Sequence, residues 1–266
     1  MYKAFYSLAK TPFSKEISID NMYKFKSFEE GLARLEYLKN SRGIGVIVGD
    51  PGSGKTTLMR KFTGSLNQSL YKVIYFPLST VSASDFYRGL AYGLGETPKF
   101  KKVDLFAQIQ TTILNLYRNQ KVTPVIMLDE MQMASNQFLN DISLLFNFSM
   151  DSENPFILCI TGLTYFIDKL KLAQLQPLNQ RVIIRHQMSA LNKDEVEQYI
   201  EHQMKLAGAN HTIFSPEAIE AIASRTGGRP RVVNTLASHC LIYGCTKNLQ
   251  IIDSEAVYAA SSEVGL

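Results

Sequence analysis

Gly49-Asp50-Pro51-Gly52-Ser53-Gly54-Lys55-Thr56, GDPGSGKT, is the stretch from which the fold of this 266-residue chain is read. It satisfies G-x-x-x-x-G-K-[ST] at every fixed position. The apolar run Gly45-Val46-Ile47-Val48 leads into it, and a helical pattern from Lys55 to Leu66 leads out of it. A strand, a glycine loop and a helix in that order make a cradle for a polyphosphate. The glycines let backbone N–H groups turn inward, and the helix start adds the positive end of its dipole. Gly49, Asp50, Pro51, Gly52, Ser53, Gly54, Lys55, Thr56 and Thr57 are therefore the candidate nucleotide contacts. Lys55 would reach the β- and γ-phosphates, and Thr56 would ligate Mg²⁺.

The stretches further out fit such a loop. Val73-Ile74-Tyr75-Phe76 reads as a strand closed by Pro77, and residues Ala83 to Leu94 and Val103 to Asn119 carry helical spacing. Pro124-Val125-Ile126-Met127-Leu128-Asp129-Glu130 is an apolar strand ending in two carboxylates. In nucleotide hydrolysis that pattern places one acid near the metal and one beside the attacking water. Asp129 would hold Mg²⁺ through its water shell, and Glu130 would polarise the water.

A helix over Asn136 to Phe148 precedes another apolar strand, Phe156 to Ile160, which ends at Thr161-Gly162. Thr161 would lie near the γ-phosphate if this strand neighbours the one before the loop. A helix around Thr164 to Leu172 and a last strand, Val182 to Arg185, follow. Short strands alternating with helices predict an α/β fold, a P-loop NTPase with a central parallel sheet flanked by helices.

Both ends of the chain differ from this pattern. Residues 1–26 mix aromatic and basic side chains without a period and read as an arm, either packed by its aromatic rings or lining a base pocket with Pro12 and Phe13. A helix begins at Ser27, with Glu30 completing a capping box, and shows the stripe Phe28, Leu32, Leu35, Leu38. The α/β domain is assigned to 27–189. Past Ala190 only helices are indicated: Asn192 with Glu195, Ser215 with Pro216, and Asp253 are their start signals. Residues 190–266 therefore form a small all-helical domain. Within it, Arg231 opens a helix against the dipole preference, as if answering an external anion.

Composition is ordinary for a globular protein, 45% hydrophobic and 20% charged, and the net charge of +4 permits a polyanionic partner. Three cysteines without a C-x-x-C pair indicate neither a disulfide framework nor a zinc site. No signal peptide and no membrane-length apolar run is recognised, so the expectation is a cytoplasmic protein without membrane association. The loop Lys99-Phe100-Lys101-Lys102 reads either as a phosphate-backbone contact or as a solvated surface loop.

With these pieces in place the chain resembles the AAA+ ATPases, and more narrowly the ExeA-like and transposition-regulator branch with the MuB, TnsC and TniB proteins. The resemblance rests on YKAFYSLAKTPF at the start, GDPGSGKTTLMR as Walker A, VIMLDE as Walker B and ILCITG as the sensor-1 strand. LNQRVIIRHQMSAL and TGGRPRVVNTLASHC complete it as the arginine-finger and sensor-2 regions. It implies ATP and Mg²⁺ as cofactors, Thr161 as sensor 1 and Arg231 as sensor 2. Arg181, with Arg185 as the alternative, is implied as a finger reaching a neighbouring subunit. Hydrolysis would then depend on a homo-oligomer, ring or filament. The branch further implies double-stranded DNA, touched by Thr80, Lys99, Lys101 and Lys102, and a transposase as partner. The chain departs from the branch at Tyr6-Ser7, where a Phe-Gly pair is usual. ExeA-like proteins continue into a membrane span and a wall-binding region, so the length read here points away from secretion. An ExeA-like assembly ATPase and a non-polymerising signalling switch are the other two expectations.

Overall fold

The apolar runs of the sequence become the centre of a five-stranded sheet. A computed structural model of the chain describes residues 1–14, 16–77 and 82–266. In chain order its elements are α1 (Tyr2–Phe5), α2 (Lys26–Ser41), β1 (Gly43–Gly49), α3 (Lys55–Gly64), β2 (Tyr71–Phe76), α4 (Ala83–Leu94) and α5 (Lys102–Arg118). Then come β3 (Thr123–Leu128), α6 (Asn136–Leu145), β4 (Ile157–Gly162), α7 (Phe166–Leu170), α8 (Gln176–Gln180) and β5 (Val182–Met188). Four helices close the chain: α9 (Lys193–Leu206), α10 (Pro216–Thr226), α11 (Pro230–Thr246) and α12 (Ser254–Val264).

The strand order is β2-β3-β4-β1-β5, and every pairing is parallel. β1, β3 and β4 are buried at every residue, which is why each reads as an unbroken apolar run. β5, at one edge, alternates buried and exposed residues. It continues to Met188, beyond the Arg185 expected from hydrophobicity, because its pairing with β1 runs on to Gly49 opposite Met188.

By its internal contacts the chain divides into two units. One comprises residues 29–51 and 55–188 and holds the sheet. Its core is continuous, from Ile44, Val46 and Val48 of β1 through Phe86 and Leu90 of α4 and Ile109 and Ile113 of α5 to Phe138 and Ile142 of α6. Each such side chain contributes about 1.5–3 kcal/mol on burial. The other comprises residues 1–28, 52–54 and 189–266. Here the arm is held to the helices by backbone and aromatic contacts. Ala9 and Lys10 N–H donate to the Ala207 carbonyl, and the buried Tyr6 donates its phenol proton to the Leu249 carbonyl at 2.9 Å.

The start signals of the helical unit act as hydrogen bonds. Asn192 and Glu195 form a reciprocal capping box on α9, while Ser215 and Asp253 accept from N3 backbone N–H groups of α10 and α12. α2 begins at Lys26, which places Ser27 inside the first turn, where its hydroxyl oxygen accepts from Ser189 N–H at 3.0 Å. α6 also stops short of Phe148, because Phe146 and Phe148 turn their rings onto Phe156 in the core.

Candidate nucleotide site

Parallel strands present their carboxyl ends at one edge of the sheet, the usual place for a ligand. Here β4 lies between β3 and β1, with Leu128 opposite Ile160 and Ile47 opposite Thr161. The residues that follow these strands are therefore neighbours. Asp129 is buried, and both its oxygens are occupied. Oδ2 accepts from the Thr56 hydroxyl at 3.2 Å and from the Tyr75 phenol at 3.1 Å. Oδ1 accepts from the Glu130 N–H at 3.0 Å and from the hydroxyl of Thr161, itself only 2% exposed. Burial, then the Asp129 charge, pushes the Tyr75 phenol up to about 12, so it stays a proton donor at neutral pH.

Glu130 sits just past the strand in the left-handed backbone region, φ +57°, which turns its side chain out of the sheet. There its carboxylate accepts from the Gln132 amide at 2.6 Å. Lys55 opens α3, and its buried ammonium donates to the carbonyls of Gly49 at 2.8 Å and Asp50 at 3.0 Å. Asp50 is also tied down, its carboxylate accepting from the Thr164 hydroxyl at 3.0 Å. Gly52 and Gly54 have φ of +80° and +98°, values that side chains resist.

Three observations test the fit of a magnesium nucleotide. Among the described residues, the Ser53 hydroxyl, in the middle of the loop, is buried and has no hydrogen-bond partner. A buried ammonium, that of Lys55, resting on the Gly49 and Asp50 carbonyl oxygens supplies a fixed positive charge at the start of the loop. The Thr56 hydroxyl and Asp129 carboxylate, side by side, are the hard oxygen donors that Mg²⁺ takes alongside water and phosphate oxygens. The donor set fits both groups. Among the described residues, no cluster of three His, Cys, Asp or Glu offers a separate metal site.

Thr57 follows Thr56 within α3. Arg181 caps α8 and donates from its guanidinium to the Ser143 carbonyl of α6. Arg185, on the exposed side of β5, donates to Asn179 O at 2.6 Å and Asn179 Oδ1 at 2.9 Å. Arg231 lies in the first turn of α11, and in its unit its N–H donates to the Gly52 carbonyl at 3.3 Å. A Cβ on Gly52 would stand 2.6 Å from the Arg231 Cβ. The turn before α11 also demands glycine, since a Cβ on Gly228 would come within 1.9 Å of the Leu191 carbonyl oxygen. Lys99 and Lys101 are exposed around Phe100, whereas Lys102 pairs with Asp141 at 2.7 Å and lies over the Tyr87 ring. Thr80 falls outside the described residues.

The sequence profile of the AAA domain matches residues 38–170, half of the chain. The chain belongs to the AAA-domain family. This AAA chain is an ATPase, and its matched region runs from the end of α2 to the end of α7, spanning the loop, the two acids and Thr161. It is 26% identical over 269 residues to the General secretion pathway protein A of Aeromonas hydrophila. That match covers 99% of this chain and 48% of the relative, so the chain spans about half the length of the curated protein it resembles. Among solved structures, Cdc6p from Pyrobaculum aerophilum superposes with a TM-score of 0.73 at 17% identity, over 95% of this chain and 70% of that one. The Drosophila ORC structure gives 0.71 at 15% identity, over 100% and 65%. At such identities the likeness establishes the AAA+ fold.

Sequence reasoning missed Tyr75, Gln132, Thr164 and Lys169. Each acts through a contact with a distant segment. Only Gln132 had a local signal, its place two residues past Glu130.

Proposed function

We propose that this AAA ATPase binds ATP·Mg²⁺ at the end of the sheet and acts as a homo-oligomer on double-stranded DNA, regulating transposition by recruiting or activating a transposase. The hydrogen-bonded group around Asp129 is what supports the nucleotide chemistry. Lys55, Ser53 and the loop N–H groups would bind the phosphates; Thr56 and Asp129 would hold the metal. The metal supplies charge neutralisation at the phosphates. Glu130 would take a proton from the attacking water, and Thr161 fixes Asp129. Arg231, whose N–H donates to the Gly52 carbonyl of the loop, would sense the nucleotide, and Arg181 or Arg185 of a neighbouring subunit would stabilise the charge that develops on transfer.

The single observation carrying the DNA reading is the likeness over the whole chain to the Drosophila ORC, whose structure was solved bound to DNA. Lys99 and Lys101 beside Phe100, 89% exposed, offer this chain a basic and aromatic surface for such a partner. A cytoplasmic setting suits its three free cysteines. Gel retardation tests the reading: ATP-loaded protein shifts duplex DNA of any sequence at low salt, and the shift fades steeply as salt rises. No shift at low salt overturns it.

A second reading has its own support. Similarity to a general secretion pathway protein over 99% of this chain favours an assembly ATPase of a secretion complex. Length does not weigh between the two, because the chain spans about half of that relative. ATP-dependent co-fractionation with secretion components, without DNA retardation, would select the second.

A further inference from the structure

Gln132 is a polar side chain with no place in the reading above, yet it is buried and hydrogen-bonded through both its amide nitrogen and its amide oxygen. Its amide nitrogen donates to Glu130 Oε2 at 2.6 Å, while its amide oxygen accepts from Leu163 N–H at 3.1 Å. Its own backbone carbonyl accepts from the Lys169 ammonium at 3.2 Å, and Lys169 also donates to the Ala134 carbonyl. Burial lowers the Lys169 pKa.

Leu163 begins the segment just past β4, two residues beyond Thr161. The β3 and β4 ends are thus joined twice by side chains: Thr161 to Asp129, and Leu163 through Gln132 to Glu130. A glutamate outside the strand, on a left-handed backbone, has several rotamers open to it. A buried amide held at its far end by a fixed N–H removes that freedom.

We infer that Gln132 is a positioning residue for hydrolysis, holding the Glu130 carboxylate to the Leu163 N–H so that the end of β4 sets where the base points. This rests on the reading of Glu130 as the base. A base held within hydrogen-bond reach of its water loses about 10- to 100-fold in rate on a misplacement of about 1 Å, with no change in substrate affinity. The effect belongs in kcat alone.

The full chain serves for the test, with hydrolysis followed by release of labelled phosphate and binding by a fluorescent ATP analogue. Gln132→Met keeps the length of the side chain and removes both hydrogen bonds. Gln132→Glu keeps an acceptor for Leu163 and removes the donor to Glu130. Both are expected to lose about 10- to 100-fold in kcat with nucleotide Kd within about twofold of the parent. In a Glu130→Gln background, Gln132→Met should cost less than about twofold more, because residues acting as one unit are not additive. A Gln132→Glu protein, thermally as stable as the parent, that hydrolyses ATP at the parent rate overturns the inference. So does a loss in Kd equal to the loss in kcat, or a Gln132→Met penalty undiminished in the Glu130→Gln background. If Glu130→Gln itself leaves kcat unchanged, the assignment of the base fails instead, and the inference falls with it.

Discussion

The end of β3 and the loop before α5 both carry charged residues flagged by sequence, and they are built in opposite ways. At the end of β3 one buried carboxylate gathers two hydroxyls, a phenol and a backbone N–H from four separate segments. In the loop, Lys99 and Lys101 face solvent, and Gln108 pins the backbone by accepting from Lys99 N–H and donating to the Thr97 carbonyl. Buried polar groups are costly unless every partner is in place, so the first region tolerates few changes and states its chemistry in its geometry. Solvated charges cost little in any arrangement, so the second says less about its purpose.

Substitutions can sharpen that contrast. Lys55→Ala removes the buried ammonium and should weaken nucleotide binding by at least about 100-fold, since hydrogen bonds to charged groups are worth about 1.5–3 kcal/mol each; titration with a fluorescent nucleotide measures it. Lys99→Ala with Lys101→Ala should lower DNA affinity about tenfold near 0.1 M salt and reduce the salt slope by about 2, leaving the melting temperature within about 1 °C. A shifted melting point would mean the loop is more structural than its exposure indicates. Thr161→Val keeps the shape of a buried residue but leaves Asp129 one donor short, costing about 1–3 kcal/mol of stability and a several-fold loss in hydrolysis. Tyr75→Phe should have the smallest effect, below about 1 kcal/mol, because Tyr75 is half exposed. Its phenol titrates near 12 when folded, above the ordinary 10, so the unfolded chain releases that proton first. The associated stability is present below pH 10 and declines as pH rises from 10 toward 12.

How much of each region was legible follows from the same difference. GDPGSGKT and VIMLDE were readable because their chemistry is local: a turn that needs glycine, and a strand that must be apolar on both faces up to its last residue. The capping signals at Asn192, Ser215 and Asp253 were local too. At Ser27 only part was local: the helix begins one residue earlier, at Lys26, and the bond that the Ser27 hydroxyl accepts from Ser189 N–H comes from a segment far along the chain. Tyr75 was invisible for the same reason, since strand order brings its partner near, and Gln132 showed only its nearness to Glu130, its Leu163 partner being remote.

Glu130→Gln tests the central claim most directly, that binding and hydrolysis are divided between the loop and the two acids. ATP affinity should stay within about threefold of the parent while kcat falls by about 100-fold or more, as expected on removing a general base. Equal losses of binding and turnover, like those of Lys55→Ala, would contradict the account.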